Sequence, residues 1–462
     1  MSHLFGQTAL RTPGSGKRQN LFGRIRTATL AATAAATILP LLSGSALAAA
    51  RLRTLHTFCP NQACAAGEAN VPLGGLARDG SGNLYGTTEL GGAYNHGVVF
   101  ELVFTGRKYK YRILHSFCAS SGCPDGDSPD ATLTLDVNGN VYGTTLHGGN
   151  ANNGGVAFEL VASRRYRLQV LHAFCSLSGC ADGASPQAPL SYAAEATGAL
   201  YDGTSTLYGE AAAGGDTSNG IAFQLTYIAG KPQRKWGLLH SFTGADGENP
   251  WYGLTPDANG NLYGVAAFGG ASADSAGTAF EFSPNAKGFK FTLLYSFGSQ
   301  ANDADGFEPN GALAIDGQGR LVGVTFGGGA GGQGALYRIV PNGTNSQESV
   351  LYSFCANGTC TDGQWPSGGV AISGGTIFGT AQRGGTACTE FGGGGCGTLF
   401  EFGKKYPYFR VLHDFCTATQ CADGSAPAGT LILDSAGNVY GVTAGGGSGN
   451  PYNEGTVYKL IP

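Results

Sequence analysis

The stretch GNLYGTTELGG at 82–92 looks like a nucleotide loop or a turn, and the rest of the chain decides between them. It returns as GNVYGTTLHGG at 139–149, GNLYGVAAFGG at 260–270, GRLVGVTFGGG at 319–329, GTIFGTAQRGG at 375–385 and GNVYGVTAGGG at 437–447, with a degenerate copy, STLYGEAAAGG, at 205–215. A phosphate loop is needed once, so seven copies mean architecture. Such glycine runs here also lead into strands and lack the helix N-terminus that binds phosphate.

One full unit, 114–174, reads LHSF, CASSGC, DGDSP, ATLTLD, VNGN, VYGTT, LHGGNANNGG, VAFELV and YRLQVLHAF. Four short apolar or alternating segments are separated by Gly, Asn, Asp and Pro, which predicts four strands per repeat. The D-x-x-G-N link is a tight hairpin, because Asn and Gly accept the positive φ it demands. Phe58, Phe117, Phe174, Phe242, Phe297, Phe354 and Phe415 recur every 55 to 68 residues. Four strands repeated seven times predict an all-β, seven-bladed β-propeller of antiparallel blades, not a solenoid with shorter coils. RLRTLHTF at 51–58 is a fourth-strand sequence and GTVYKLIP at 455–462 a third-strand sequence, so strands from both ends are expected to complete the last blade.

The composition agrees: 79 of 462 residues are Gly and only 13% are charged, a turn-rich chain without a Gly-X-Y period. Residues 1–48 form a separate regime. Arg11, Lys17, Arg18, Arg24 and Arg26 precede the apolar run TLAATAAATILPLL and the small-residue site Ala46-Leu47-Ala48, which predicts a signal peptide and a mature domain over 49–462. An uncleaved anchor is the alternative, but Pro40 and Gly44 interrupt a run already short for a membrane span. Without the leader the chain keeps 22 Lys+Arg against 31 Asp+Glu, a balance that argues against nucleic acid.

Twelve cysteines fit an exported chain, periplasmic or extracellular. Cys59/Cys64, Cys118/Cys123, Cys175/Cys180, Cys355/Cys360 and Cys416/Cys421 share one spacing, and Cys388/Cys396 lies elsewhere in its repeat. Zinc knuckles are shorter and come in twos or with His, so six local disulfides are expected and no metal. The DGDSPD run at 125–130 lacks the length and terminal Glu of an EF-hand loop.

The order L-[HY]-x-F, D-G-x-x-P, L-x-x-D-x-x-G-N-[LV]-Y-G-T-T-x-x-G-G and G-x-[VA]-[FY]-E-L, held across roughly 51–462, resembles the repeat of bacterial exported proteins called GloVer-containing, or choice-of-anchor tandem repeat, proteins. The resemblance implies an exported repeat protein with a propeller-like fold and carries no assigned activity. Some members end in a sorting or anchoring tail, whereas this sequence stops at Pro462 just after a strand.

Residues that recur in every repeat belong to the scaffold. The six Asp-Gly pairs from Asp125-Gly126 to Asp423-Gly424 read as turns feeding a strand, and His56, His115, His172, His240 and His413 share a position with Tyr295 and Tyr352, which does not suit a metal ligand. Function is therefore sought in residues that break the repeat, on the face bearing the long cysteine loops. These are Glu89, His96, His147, Gln382, Arg383 and Glu390, with Trp251, Tyr252 and Trp365 as exposed aromatics. Acid, imidazole, guanidinium and aromatic side chains suit a sugar site. The preferred reading is a binding protein for an extracellular polysaccharide or surface protein, expected to be monomeric and to need no cofactor. A polysaccharide hydrolase using Glu89 with Glu390, a lyase using His147 with Arg383, and a structural matrix component remain alternatives. No G-x-S-x-G, H-E-x-x-H or Walker motif occurs.

Overall fold

The computed structural model describes residues 50–59, 69–272, 274–387, 395–403, 408–447 and 455–462. The leader at 1–48, Cys64, Cys388 and Glu390 lie outside the described residues. The chain from Ala48 onward is one compact unit. It is a seven-bladed β-propeller, as the repeat predicts. In blade two the strands Thr134–Leu135, Val141–Thr145, Val156–Val161 and Arg167–Ala173 lie side by side in chain order, antiparallel throughout.

The repeated glycine of L-Y-G now has a physical reason. In every blade it stands opposite an aromatic residue of the third strand: Gly86↔Phe100, Gly143↔Phe158, Gly209↔Phe223, Gly264↔Phe280, Gly323↔Tyr337, Gly379↔Phe400 and Gly441↔Tyr458. The ring lies across the glycine, and a Cβ built on Gly143 would stand 2.7 Å from Phe158 Cζ. The outer-strand Phe of the preceding blade then packs against that same ring. Phe117 meets Phe158 at 5.3 Å and Phe174 meets Phe223 at 4.9 Å, edge to face, and all four are fully buried. The same contact recurs at the other five junctions, so the core is a ring of inter-blade aromatic pairs.

Arg51–Thr57 pairs antiparallel with Thr456–Ile461, from Arg51↔Ile461 to Thr57↔Thr456. Blade seven is thus closed by strands from both ends of the domain, and Phe58 carries the ring on to Phe100 at 5.3 Å. Blade three departs most from the repeat. A bridge between Ser191 and Tyr208 stands in for its inner ladder, and the hairpin is replaced by an excursion through the short 3₁₀ turn Ala193–Thr197. Buried Arg234 holds that excursion, donating to Tyr201 Oη and the Gly203 carbonyl, each at 2.8 Å.

The two faces differ as the loop lengths require. On one, Asp79, Asp136, Asp257, Asp316 and Asp434 accept backbone N–H groups two and four residues on, the Asx geometry of a tight turn. On the other, the cysteine loops rest on the Gly-Gly ending of the next blade's second strand. Gly149 N–H donates to the Cys123 carbonyl at 2.8 Å, Gly215 to Cys180 at 3.0 Å, Gly385 to Cys360 at 3.0 Å and Gly447 to Cys421 at 2.7 Å. Four bridges, Cys118–Cys123, Cys175–Cys180, Cys355–Cys360 and Cys416–Cys421, are formed as expected. Cys59 and Cys396 are also disulfide-bonded.

Candidate functional site

Each blade enters its inner strand through a proline locked against the blade before it. A Cβ built on Gly155 would stand 2.7 Å from Pro186 Cδ, and one on Gly277 2.4 Å from Pro309 Cδ; both glycines have positive φ. Gly and Pro are therefore both fixed by the packing. The residue after the proline is free to vary, and it does: Leu73, Asp130, Gln187, Trp251, Asn310, Ser367 and Ala428. All seven converge on one cavity of about 290 Å³, lined by every blade. It lies on the propeller axis toward the cysteine-loop face.

Three of these side chains carry a buried polar atom without a partner: Asp130 Oδ1, Trp251 Nε1 and Ser367 Oγ. Buried polar groups are normally paired, so a cluster of orphans around one cavity points to a ligand's hydrogen bonds. Burial pushes the Asp130 carboxyl up to about 7, and the nearby negative charge of Glu89 adds to the rise. Among the described residues no Lys, Arg or His lines the cavity. Trp251 is braced edge-on by Tyr252 at 5.9 Å and Phe268 at 6.3 Å. The arrangement offers an aromatic surface, amides, a hydroxyl and one carboxyl, which suits hydrogen bonding and stacking.

Of the residues singled out from the sequence, Trp251, Tyr252 and Gln382 line this cavity. Glu89 acts on it through its charge on Asp130. His96 and His147 meet elsewhere, at Asp127: His96 Nδ1 lies 3.0 Å from Asp127 Oδ1, and His147 pairs with Asp127 through the backbone. Trp365 stacks on Phe326 at 5.3 Å. Arg383 stands opposite Gln364 at the end of its strand, while its neighbour Gln382 reaches the cavity. The reason is radial. Apart from Gln382, the residues lining the cavity come from the inner-strand segments, and a residue ending the second strand is one inter-strand spacing, about 4.8 Å, farther out. Asp130, Gln187, Asn310 and Ser367 escaped the sequence reading; the signal was a single variable position inside an otherwise fixed frame.

The recurrent His/Tyr and Asp-Gly positions prove to be one device. His115–Asp125, His172–Asp182, His240–Asp246 and His413–Asp423 hydrogen-bond at 2.9 to 3.0 Å, and Tyr295 and Tyr352 donate to Asp305 and Asp362 at 2.8 Å. The rings also stack on the next blade's outer strand, His240 on Phe291 at 4.0 Å and Tyr352 on Phe409 at 3.8 Å. A flat ring with a donor at its tip is what the position needs, and both residue types supply one.

A family model described as the Gloeobacter/Verrucomicrobia repeat matches residues 46–206 and 197–390. The chain belongs to that family. No curated protein matches this Gloeobacter/Verrucomicrobia repeat chain. Among solved structures it is similar to the extracellular domain of a protein assigned as a hybrid two-component system from B. thetaiotaomicron, at 14% identity and TM-score 0.48, covering 89% of this chain and 41% of that one. The repeat chain thus spans less than half of that structure. It is also similar to a protein assigned as a 6-phosphogluconolactonase from Bacteroides uniformis, at 12% identity and TM-score 0.44, covering 73% of this chain and 83% of that one. A hypothetical selenium-binding protein from Sulfolobus tokodaii is matched at 9% identity and TM-score 0.46, covering 72% of this chain and 76% of that one. None of these likenesses bears on function. Among the described residues no helix is long and apolar enough to cross a membrane.

Proposed function

We propose that this chain is an exported, monomeric carbohydrate-binding propeller whose site is the axial cavity on the cysteine-loop face. The observation that carries it is the convergence of seven variable post-proline residues on one cavity with three unpaired buried polar atoms. Trp251 offers an aromatic surface to a sugar ring, and Gln187, Asn310, Ser367 and Asp130 offer partners to its hydroxyls. Glu89, His96, His147, Trp365 and Arg383 would make outer contacts to a longer chain. Glu390 is proposed with them from the sequence alone. Export is supported by the basic and apolar leader and by the disulfides.

The test is size-exclusion chromatography of the chain from Ala49 with neutral, basic and acidic polysaccharides, following co-elution and polymer length together. Co-elution at constant length, lost in Trp251→Ala, is expected. Shortening of a polymer would replace binding with catalysis, and no retention of any polymer would overturn the reading.

A further inference from the structure

Resting on the carbohydrate reading and narrowing it, we infer that the axial cavity takes a sugar unit bearing a free amine, its ammonium paired with the Asp130 carboxylate in the cavity that Trp251 also lines. The charge inventory is one-sided. Among the described residues Asp130 is the one carboxylate lining the cavity, its Oδ1 is buried and unpaired, and none of the described lining side chains is a cation that could neutralise it. Glu89 on blade one adds negative potential from outside the lining, and the post-proline residues of the remaining blades are neutral. A carboxylate held this way favours an incoming cation, which would also be attracted to an indole face. An acidic sugar would find no cation to receive its carboxylate. A neutral or N-acetylated unit would leave the buried Asp130 carboxyl to hold a proton, and would forgo the ion pair.

Asp130 also stands where the other blades carry Leu, Gln, Trp, Asn, Ser and Ala, so nothing in the repeat demands an acid there. The proline lock before it and the inner strand after it are satisfied with any of these side chains. Its acid function is free to serve a ligand, and Ser367 Oγ and Trp251 Nε1 remain to bind hydroxyls of the same unit.

Isothermal titration of the chain from Ala49 near neutral pH with glucosamine tetramers, their N-acetylated counterparts and glucose tetramers tests this. About tenfold tighter binding of the free-amine form is expected, since a hydrogen bond to a charged group exceeds a neutral one by about 1.4 kcal/mol. In Asp130→Asn the ratio should collapse toward one, with thermal melting confirming that the variant is folded. Equal affinity for amine and N-acetyl forms, or a preference that survives Asp130→Asn, overturns the inference while the carbohydrate reading stands. Failure of all three oligomers to bind also overturns it, and the polysaccharide panel then decides the broader reading by itself.

Discussion

Glu210 takes the second-strand position that holds Thr87, Thr144 and Thr380 in other blades. Those at Thr87 and Thr144 donate to a carbonyl of the next inner strand, Ala131 at 3.1 Å and Ala188 at 3.0 Å. Glu210 makes the same connection with polarity reversed, its Oε2 accepting the Gly253 N–H at 2.8 Å, but its Oε1 is buried without a partner. Burial pushes this carboxyl up to about 8 from an ordinary 4.5. Between those values the folded chain holds a proton that the unfolded chain has released, so stability falls as pH rises through the interval and levels off above about 8. Glu210→Gln keeps the acceptor and removes the titration. It is expected to match the parent in urea melts near pH 5 and to exceed it by roughly 2–5 kcal/mol near pH 9. A gain of equal size at both pH values would rule out the buried acid as its cause.

At the scale of one inter-blade junction, the loop after an outer strand is held by three devices at once. Asp182, fully buried, accepts Ser176 N–H and Oγ–H, Leu177 N–H and a bond with His172. Burial alone would raise its carboxyl, but the hydrogen bonds from Ser176 and Leu177 outweigh that and hold it below the usual range. The stabilisation is therefore present above the ordinary Asp pKa and lost as pH falls through the lowered one. Asp182→Ala should cost about 1–3 kcal/mol through the stranded donors, whereas His172→Tyr, copying Tyr295 and Tyr352, should change stability by less than about 1 kcal/mol; chemical denaturation measures both. A larger loss in His172→Tyr would mean that the stack on Trp236, 6.1 Å away, is specific to imidazole. The disulfide closes a loop with sequence separation 5, so chain entropy limits its contribution to about 2 kcal/mol. Cys175→Ala with Cys180→Ala is expected to speed hydrogen exchange over 175–183 while the strands keep their protection. Loss of protection throughout the sheet would show that the bridge holds the ring itself.

For the whole molecule, stability is that of a closed ring. Removing residues 50–57 strips the outer strand from blade seven and leaves Thr456–Ile461 as an open edge, the template for association that closed architectures avoid. The truncated chain should melt well below the parent and self-associate, which light scattering during a thermal ramp would reveal; an unchanged, monomeric melt would mean that closure contributes little. Seven copies with one register made this closure legible from the chain itself, because the fourth-strand pattern at 51–58 had no first three strands before it. The site was less legible. Gln187, Asn310 and Ser367 look like ordinary polar loop residues, and what distinguishes them is distance from an axis that no single repeat contains. His147 and Arg383, conspicuous as repeat breakers, sit one strand layer farther out.

Strand number, hairpin type, blade count and the four pairings Cys118–Cys123, Cys175–Cys180, Cys355–Cys360 and Cys416–Cys421 were determined by the sequence alone, since each depends on period, turn chemistry or loop length over fewer than about 70 residues. That Gly143 lies under Phe158, that His172 and Asp182 form one latch, and that Asp130, Trp251 and Ser367 share a cavity were decided only when seven blades closed on each other. Local pattern specifies the unit, but burial, orphaned polar atoms and a raised carboxyl are properties of the closed ring, because they depend on which residues the axis brings together from repeats far apart in the chain.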